Sequence, residues 1–167
     1  HTVTRRQRQM CIRDRGGTVK IQNRKIFIEQ FKEKLIPEQS VESDWSSASY
    51  FFSIAALSKS VKLTLSKFSK DSLQGDSRLI DMYKKFGVET IFKDDKIILT
   101  KNNKSLPKSI HLNLIDNPDL AQTILITCLG LGIDCTLEGL HTLKIKETDR
   151  LVALKNEIEK FEVDKIE

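Results

Sequence analysis

Apolar and polar residues change their spacing several times between residues 39 and 161, and each change predicts an element. Residues 39–45, QSVESDW, read as a strand ending in polar residues. Residues 46–58, SSASYFFSIAALS, read as a helix. Asp44, Ser46 or Ser47 can cap it, and Tyr50, Phe51, Ile54 and Leu57 are its expected core residues. In VKLTLSKF, Val61, Leu63 and Leu65 alternate with polar residues, which predicts a half-buried strand. In DSRLIDMYKKFG, Leu79, Met82, Tyr83 and Phe86 share one helical face and Gly87 is the stop. VETIF and KIILT then flank Asp94–Asp95, a tight hairpin. The order is β-α-β-α-β-β.

The pattern recurs. Shifted by 72 residues, the chain matches itself without a gap: Asp44 falls on Asp116, Leu57 on Leu129, Thr64–Leu65 on Thr136–Leu137 and Arg78–Leu79 on Arg150–Leu151. A fixed period is evidence about architecture. In the second copy SIHLNLI is a strand. PDLAQTILITCLGLG is a helix, apolar nearly all round and ending at Gly132. IDCTLEGL is a strand, and TDRLVALKNEIEKF is a helix with Leu151, Leu154, Ile158 and Phe161 on one stripe. EVDKIE begins a further strand. The units run over about residues 41–104 and 109–167, the second without its hairpin, so the expectation is a fragment of a longer protein.

Composition changes this picture at one end only. The chain has 167 residues, 39% of them apolar and 31% charged, which indicates a globular protein. No apolar run approaches the roughly 20 residues of a spanning helix. The net charge of +5 suggests nucleic acid, but five arginines lie in the first fifteen residues, HTVTRRQRQMCIRDR. Beyond them the charge is nearly balanced, and 20 lysines accompany only three arginines. Residues 1–17 are therefore expected to stand apart from the fold, as an unstructured tail or as residues foreign to the native gene. A nucleic-acid-binding arm is the rival reading. Cys11, Cys128 and Cys135 have no metal-ligand spacing, and the last two read as buried thiols in a reducing cytoplasm.

Candidate chemistry gathers in KIKETDRL, residues 144–151. Thr148 is a reasonable helix cap, and Asp149 in the first turn suits the helix dipole. Arg150 does not suit that end. One reading is a surface Glu147–Arg150 pair of small worth. The other is an anion site in which Lys146 and Arg150 converge on a carboxylate or phosphate. In DNPDLAQT, Asn117 can cap, Pro118 suits the first helical position, and Asp119 is either a capping charge or a proton-transfer group. Asp44 with Ser46 and Ser47 reads as a cap. Gly75 in LQGDSR reads as a turn.

Taken in order, VESDWSSASYFFSIAAL, SLQGDSRLIDMYKKFGVE, NPDLAQT and LKIKETDRLVALKNEIEK resemble the EPSP synthase family (3-phosphoshikimate 1-carboxyvinyltransferase) in its bacterial form, over about residues 18–167. The resemblance implies an α+β fold of repeated β-α-β-α-β-β units, three per domain in two domains, with about one and a half to two units in this chain. It implies transfer of the enolpyruvyl group of phosphoenolpyruvate to the 5-hydroxyl of shikimate 3-phosphate, with release of phosphate and no metal or organic cofactor. By position it makes Asp119 a catalytic base that also contacts shikimate 3-phosphate, and Lys146 a second contact to that substrate. Glu147 becomes a proton-transfer carboxylate beside phosphoenolpyruvate, and Arg150 an arginine gripping it. Thr142 stands where some members carry a substrate-contacting asparagine, so that contact is expected to be missing. The partners implied are the two small-molecule substrates, with no nucleic acid and no membrane, for a cytoplasmic, monomeric parent. The family's N-terminal Lys/Arg cluster, its serine and glutamine contacts and its C-terminal Arg and Lys have no counterpart here. The chain alone is therefore expected to be inactive. The alternatives are a fragment of a sister transferase acting on a UDP-sugar, a basic-armed binding module and a noncatalytic structural fragment.

Overall fold

A computed structural model describes Ile12 and residues 17–23, 25–29 and 40–161. The arginine-rich block, apart from Ile12, and the EVDKIE strand lie outside the described residues. A short antiparallel hairpin, β1 (Val19–Gln22) with β2 (Lys25–Ile28), precedes the repeats. The sequence analysis made no prediction there.

The first repeat contains α1 (Trp45–Leu57), β3 (Lys62–Ser66), a 3-10 turn (Gly75–Arg78) leading into α2 (Leu79–Lys84), β4 (Val88–Lys93) and β5 (Lys96–Lys101). Its sheet has the order β3-β5-β4, antiparallel throughout. Asp94 takes a left-handed φ of 55° in the hairpin turn. The registers Leu63↔Leu99↔Thr90 and Leu65↔Ile97↔Phe92 put these residues on one face, against the helices. Lys101 shares that face. Its ammonium donates to the carbonyl oxygens of Ala56 (2.6 Å) and Phe86 (2.7 Å), at the ends of α1 and α2, where a cation suits the helix dipole. Burial pushes its pKa below the ordinary lysine value.

The second repeat contains β6 (Ser109–Asn113), a 3-10 turn (Pro118–Leu120) leading into α3 (Ala121–Leu131), β7 (Asp134–Glu138), a 3-10 segment (His141–Ile145), α4 (Arg150–Ile158) and a closing 3-10 turn (Glu159–Phe161). β6 and β7 pair in parallel with α3 as their crossover. β7 lies 72 residues after β3 at both ends, so the repeat seen in sequence is also a repeat of elements. Gly132 ends α3 in the left-handed region at φ 66°, the stop its position predicted.

Two expectations fail. Residues 40–44 form no strand. One backbone bond, from Ser43 N to the Lys67 oxygen (2.7 Å), ties them to the end of β3. Side chains fix the rest: the Glu42 carboxylate accepts from Trp45 Nε1, Ser69 N, Ser72 Oγ and Gln74 Nε2 at 2.8–3.1 Å. Nor do Tyr50, Phe51, Ile54 and Leu57 enter the core, since all four are 43–63% exposed. The buried side of α1 is Trp45, Ala48, Ser49, Phe52, Ser53, Ala55 and Ala56. Its small residues let α3 approach closely. A Cβ on Gly130 of α3 would lie 2.6 Å from Leu57 Cδ2.

A string of hydroxyls crosses the seam between the repeats. Thr127 Oγ1 of α3 lies 2.9 Å from the Tyr83 hydroxyl of α2, 2.8 Å from Ser53 Oγ of α1 and 2.6 Å from the Thr123 carbonyl oxygen. Tyr83 is wholly buried and packs edge-on against Phe52 (5.5 Å) and Phe86 (5.2 Å). A buried phenol needs a partner. Thr127→Val keeps the shape but removes the Tyr83 hydroxyl's partner at 2.9 Å, so it should destabilise the chain by about 1–3 kcal/mol. Urea unfolding checks this: the midpoint should fall with the slope unchanged.

Candidate active site

The start of α4 differs from its prediction by one residue. Asp149, not Thr148, is the cap, with Oδ1 accepting from Leu151 N (3.0 Å) and Val152 N (3.2 Å). A carboxylate is the stronger acceptor for these amides and also favours the positive end of the helix dipole. Arg150 is thereby the first helical residue, and its side chain turns back across the molecule.

Both sequence readings of Arg150 are present at once. Its Nε and Nη2 donate to Glu147 Oε1 at 3.0 and 2.6 Å, the surface pair. Its Nη1 donates to Asp119 Oδ1 at 3.1 Å, across 31 residues of sequence. Lys146 Nζ also reaches Asp119 Oδ1 at 3.1 Å. All four predicted site residues thus form one network, two cations with two carboxylates. Asp119 and the cations are 26–37% exposed, and Glu147 is 67% exposed. At such exposure water screens each pair and its worth is small.

Asp119 sits in the turn that begins α3 because Pro118 opens it and Asn117 anchors it. Asn117 holds the cap position, but its side chain makes no capping bond. Its Nδ2 donates instead to Asp76 Oδ1 (3.0 Å), while Asp76 Oδ2 accepts from Ser46 Oγ. Asp76 therefore ties the loop before Asp119 to the start of α1. Asp44 caps α1, accepting from Ser46 N (3.1 Å) and Ser47 N (3.3 Å). The predicted cap is correct, and the LQGDSR turn is a structural brace.

The network lines a cleft of about 1100 Å³. One wall is the first turns of α1, with Ser46, Ser47, Ser49 and Tyr50. The floor holds Asp119 and Gln122. The other wall is Ile145, Lys146, Glu147, Arg150 and the outward face of α4 as far as Glu157. Sequence reasoning missed Tyr50 and Gln122 as lining residues. Tyr50 had been assigned to the core, and its exposure places it here. Thr142 does not line the cleft, and its Oγ1 is buried without a partner. Away from the cleft, Cys128 is buried and Cys135 half-buried, both as free thiols. Contact with Cys135, and then burial, push the Cys128 pKa far up, which makes it unreactive.

The carboxylate of Glu147 is held below the ordinary glutamate pKa, first by a hydrogen bond from its own backbone N–H and next by Arg150. The ionised form is the one favoured by folding. Any stabilisation from it is complete above the ordinary glutamate pKa and is lost as pH falls through the lower folded value. Carboxyl carbon shifts followed by NMR should therefore place the Glu147 midpoint below that of an unpaired glutamate. Arg150→Ala should raise it part of the way, since the backbone contribution remains.

The family model described as EPSP synthase (3-phosphoshikimate 1-carboxyvinyltransferase) matches residues 5–167. The curated 3-phosphoshikimate 1-carboxyvinyltransferase of Bacteroides fragilis (strain YCH46) is 44% identical over 122 residues, covering 73% of this chain and 30% of that protein. The proteins of the same name from Methanospirillum hungatei and Histophilus somni (strain 2336) are 34% and 33% identical, over 70% and 90% of this chain and 27% and 34% of theirs. The chain spans about a third of the length of these relatives. On the strength of the match to nearly its whole length, the chain belongs to the EPSP synthase family.

Proposed function

We propose that the cleft is one wall of an active site for enolpyruvyl transfer, from phosphoenolpyruvate to the 5-hydroxyl of shikimate 3-phosphate with release of phosphate. The observation that carries this is the convergence of Asp119, Lys146, Glu147 and Arg150 on one cleft from two distant stretches of chain. In this reading Asp119 is the base at the acceptor hydroxyl and Lys146 a contact to shikimate 3-phosphate. Glu147 moves a proton at carbon 3 of phosphoenolpyruvate, and Arg150 holds that substrate's anionic groups. Proton transfer needs a base within hydrogen-bond reach of the reacting group, and Asp119 lies in the cleft with two cations in contact. Arg150 supplies a flat fork of donors, and Lys146 a point charge. No metal or organic cofactor belongs to this scheme. The relatives' printed names give a carboxyvinyl transfer to 3-phosphoshikimate, which supports this reading.

The proposal extends to the whole protein. The seam between repeats is head-to-tail: Ser53 and Leu57 of α1 meet Thr127 and Gly130 of α3, which are not their repeat equivalents. Such an interface leaves one matching face unused on each helix. On α1 that face includes Phe51, 44% exposed, and beside it Ile54, 53% exposed. On α3 it includes the half-buried Leu125 and Leu129. A third β-α-β-α-β-β unit closing on both faces would complete a domain, and two such domains would enclose the site. The parent is then a monomeric cytoplasmic enzyme acting on small molecules. Among the described residues no helix is long and apolar enough to cross a membrane.

The isolated chain, holding one wall, should release no phosphate above background when given both substrates. Turnover by it would overturn the one-wall reading. In a family-length enzyme carrying these residues, Arg150→Ala should lower kcat/KM for phosphoenolpyruvate by about 10- to 100-fold, since a hydrogen-bonded charge is lost. An unchanged kcat/KM would remove Arg150 from the site.

A further inference from the structure

One polar group in the cleft has no role in this chemistry. Gln122 follows Asp119 by three residues, in the first turn of α3, so both side chains leave on the same side of the helix. It lines the cleft with Lys146 and Arg150. Yet its Oε1 is shut off from solvent and has no donor. Buried polar atoms in folded proteins are rarely left without a partner. The nearby cations do not supply one: the contacts of Lys146 and Arg150 go to Asp119 and Glu147. The glutamine side chain is long and unbranched, and rotation about its χ angles brings the carboxamide into the open cleft.

The chemistry of the group selects its ligand. A carboxamide both donates and accepts, and so does a hydroxyl. A phosphate or carboxylate oxygen only accepts and is better served by the two cations. Phosphoenolpyruvate carries no hydroxyl, whereas the acceptor is a hydroxylated ring. We propose that Gln122 is a specificity-determining residue that binds a ring hydroxyl of the acceptor substrate. This rests on the reading of the cleft given above. Turned into the cleft, Oε1 accepts from the substrate hydroxyl the hydrogen bond that no group of the protein gives it.

The test uses the full 167-residue chain and NMR titration with three probes: shikimate 3-phosphate, phosphoenolpyruvate and inorganic phosphate. The Gln122 side-chain amide resonances should shift with the first probe and not with the other two. Gln122→Leu should raise the Kd for shikimate 3-phosphate about tenfold and leave that for phosphoenolpyruvate within about twofold. A Gln122 amide that does not respond to shikimate 3-phosphate overturns the proposal even if the variant fails to fold. So does an equal loss for both substrates. Asp119→Asn separates the two readings. If it abolishes binding while Gln122 is silent, the site stands and the Gln122 role falls. If the unaltered chain binds no shikimate 3-phosphate, the Gln122 role falls, while the one-wall reading is judged by Arg150→Ala in the family-length enzyme.

Discussion

The packing of α1 on α3 brings two repeats of one chain into a single core, and the remaining features follow from it. The two helices approach closely enough that a Cβ on Gly130 would push the Leu57 side chain aside. The hydroxyls of Ser53, Thr127 and Tyr83 meet in the seam and satisfy one another out of reach of water. Small and hydroxylated residues at this crossing are a consequence of the short distance, since larger apolar side chains would hold the helices apart. Three of the four ends of these helices are held as well. Asp44 caps one end of α1 and Lys101 the other, and Gly132 ends α3.

That seam positions the cleft. With α1 and α3 side by side, their first turns face the same opening, and the Asp76 bridge to Ser46 and Asn117 keeps them together there. The chain then leaves β7, passes through residues 141–149 and begins α4 across from them. Arg150 at the first position of α4 meets Asp119 at the start of α3. A cation at the wrong end of a helix dipole is mildly unfavourable by itself. Contact with two carboxylates offsets it, and the price of the misplaced charge is met by the site that the charge helps to form.

Much of this was legible along the chain because the signals are local. Alternation in VKLTLSKF and KIILT marks strands wherever one face is buried. Gly87 and Gly132 mark helix stops because other residues resist a positive φ. The 72-residue repeat survives as a coincidence of β3 with β7. The four charged residues that meet in the cleft lie in KIKETDR and NPDLAQT, the two stretches that the sequence singled out. The errors have local causes too. Residues 40–44 carry strand-like spacing, but Glu42 accepts four donors and leaves a loop. Apolar residues nearly surround α1, so periodicity does not reveal which face is buried.

By itself the sequence determined the order of most elements, the 72-residue spacing of β3 and β7, the stops at Gly87 and Gly132, the cap Asp44, and the residue types that can hold anions and move protons. These depend on backbone preference and on neighbours a few residues away. Only the tertiary structure decided which face of α1 is inside and that Tyr50 belongs to the cleft. It also decided that Gln122 is left with an unpaired oxygen, and that Arg150 finds its second carboxylate in Asp119. Each of those depends on contacts between residues far apart in the chain. The spacing of charges within KIKETDRL carries no information about what lies 31 residues before Arg150.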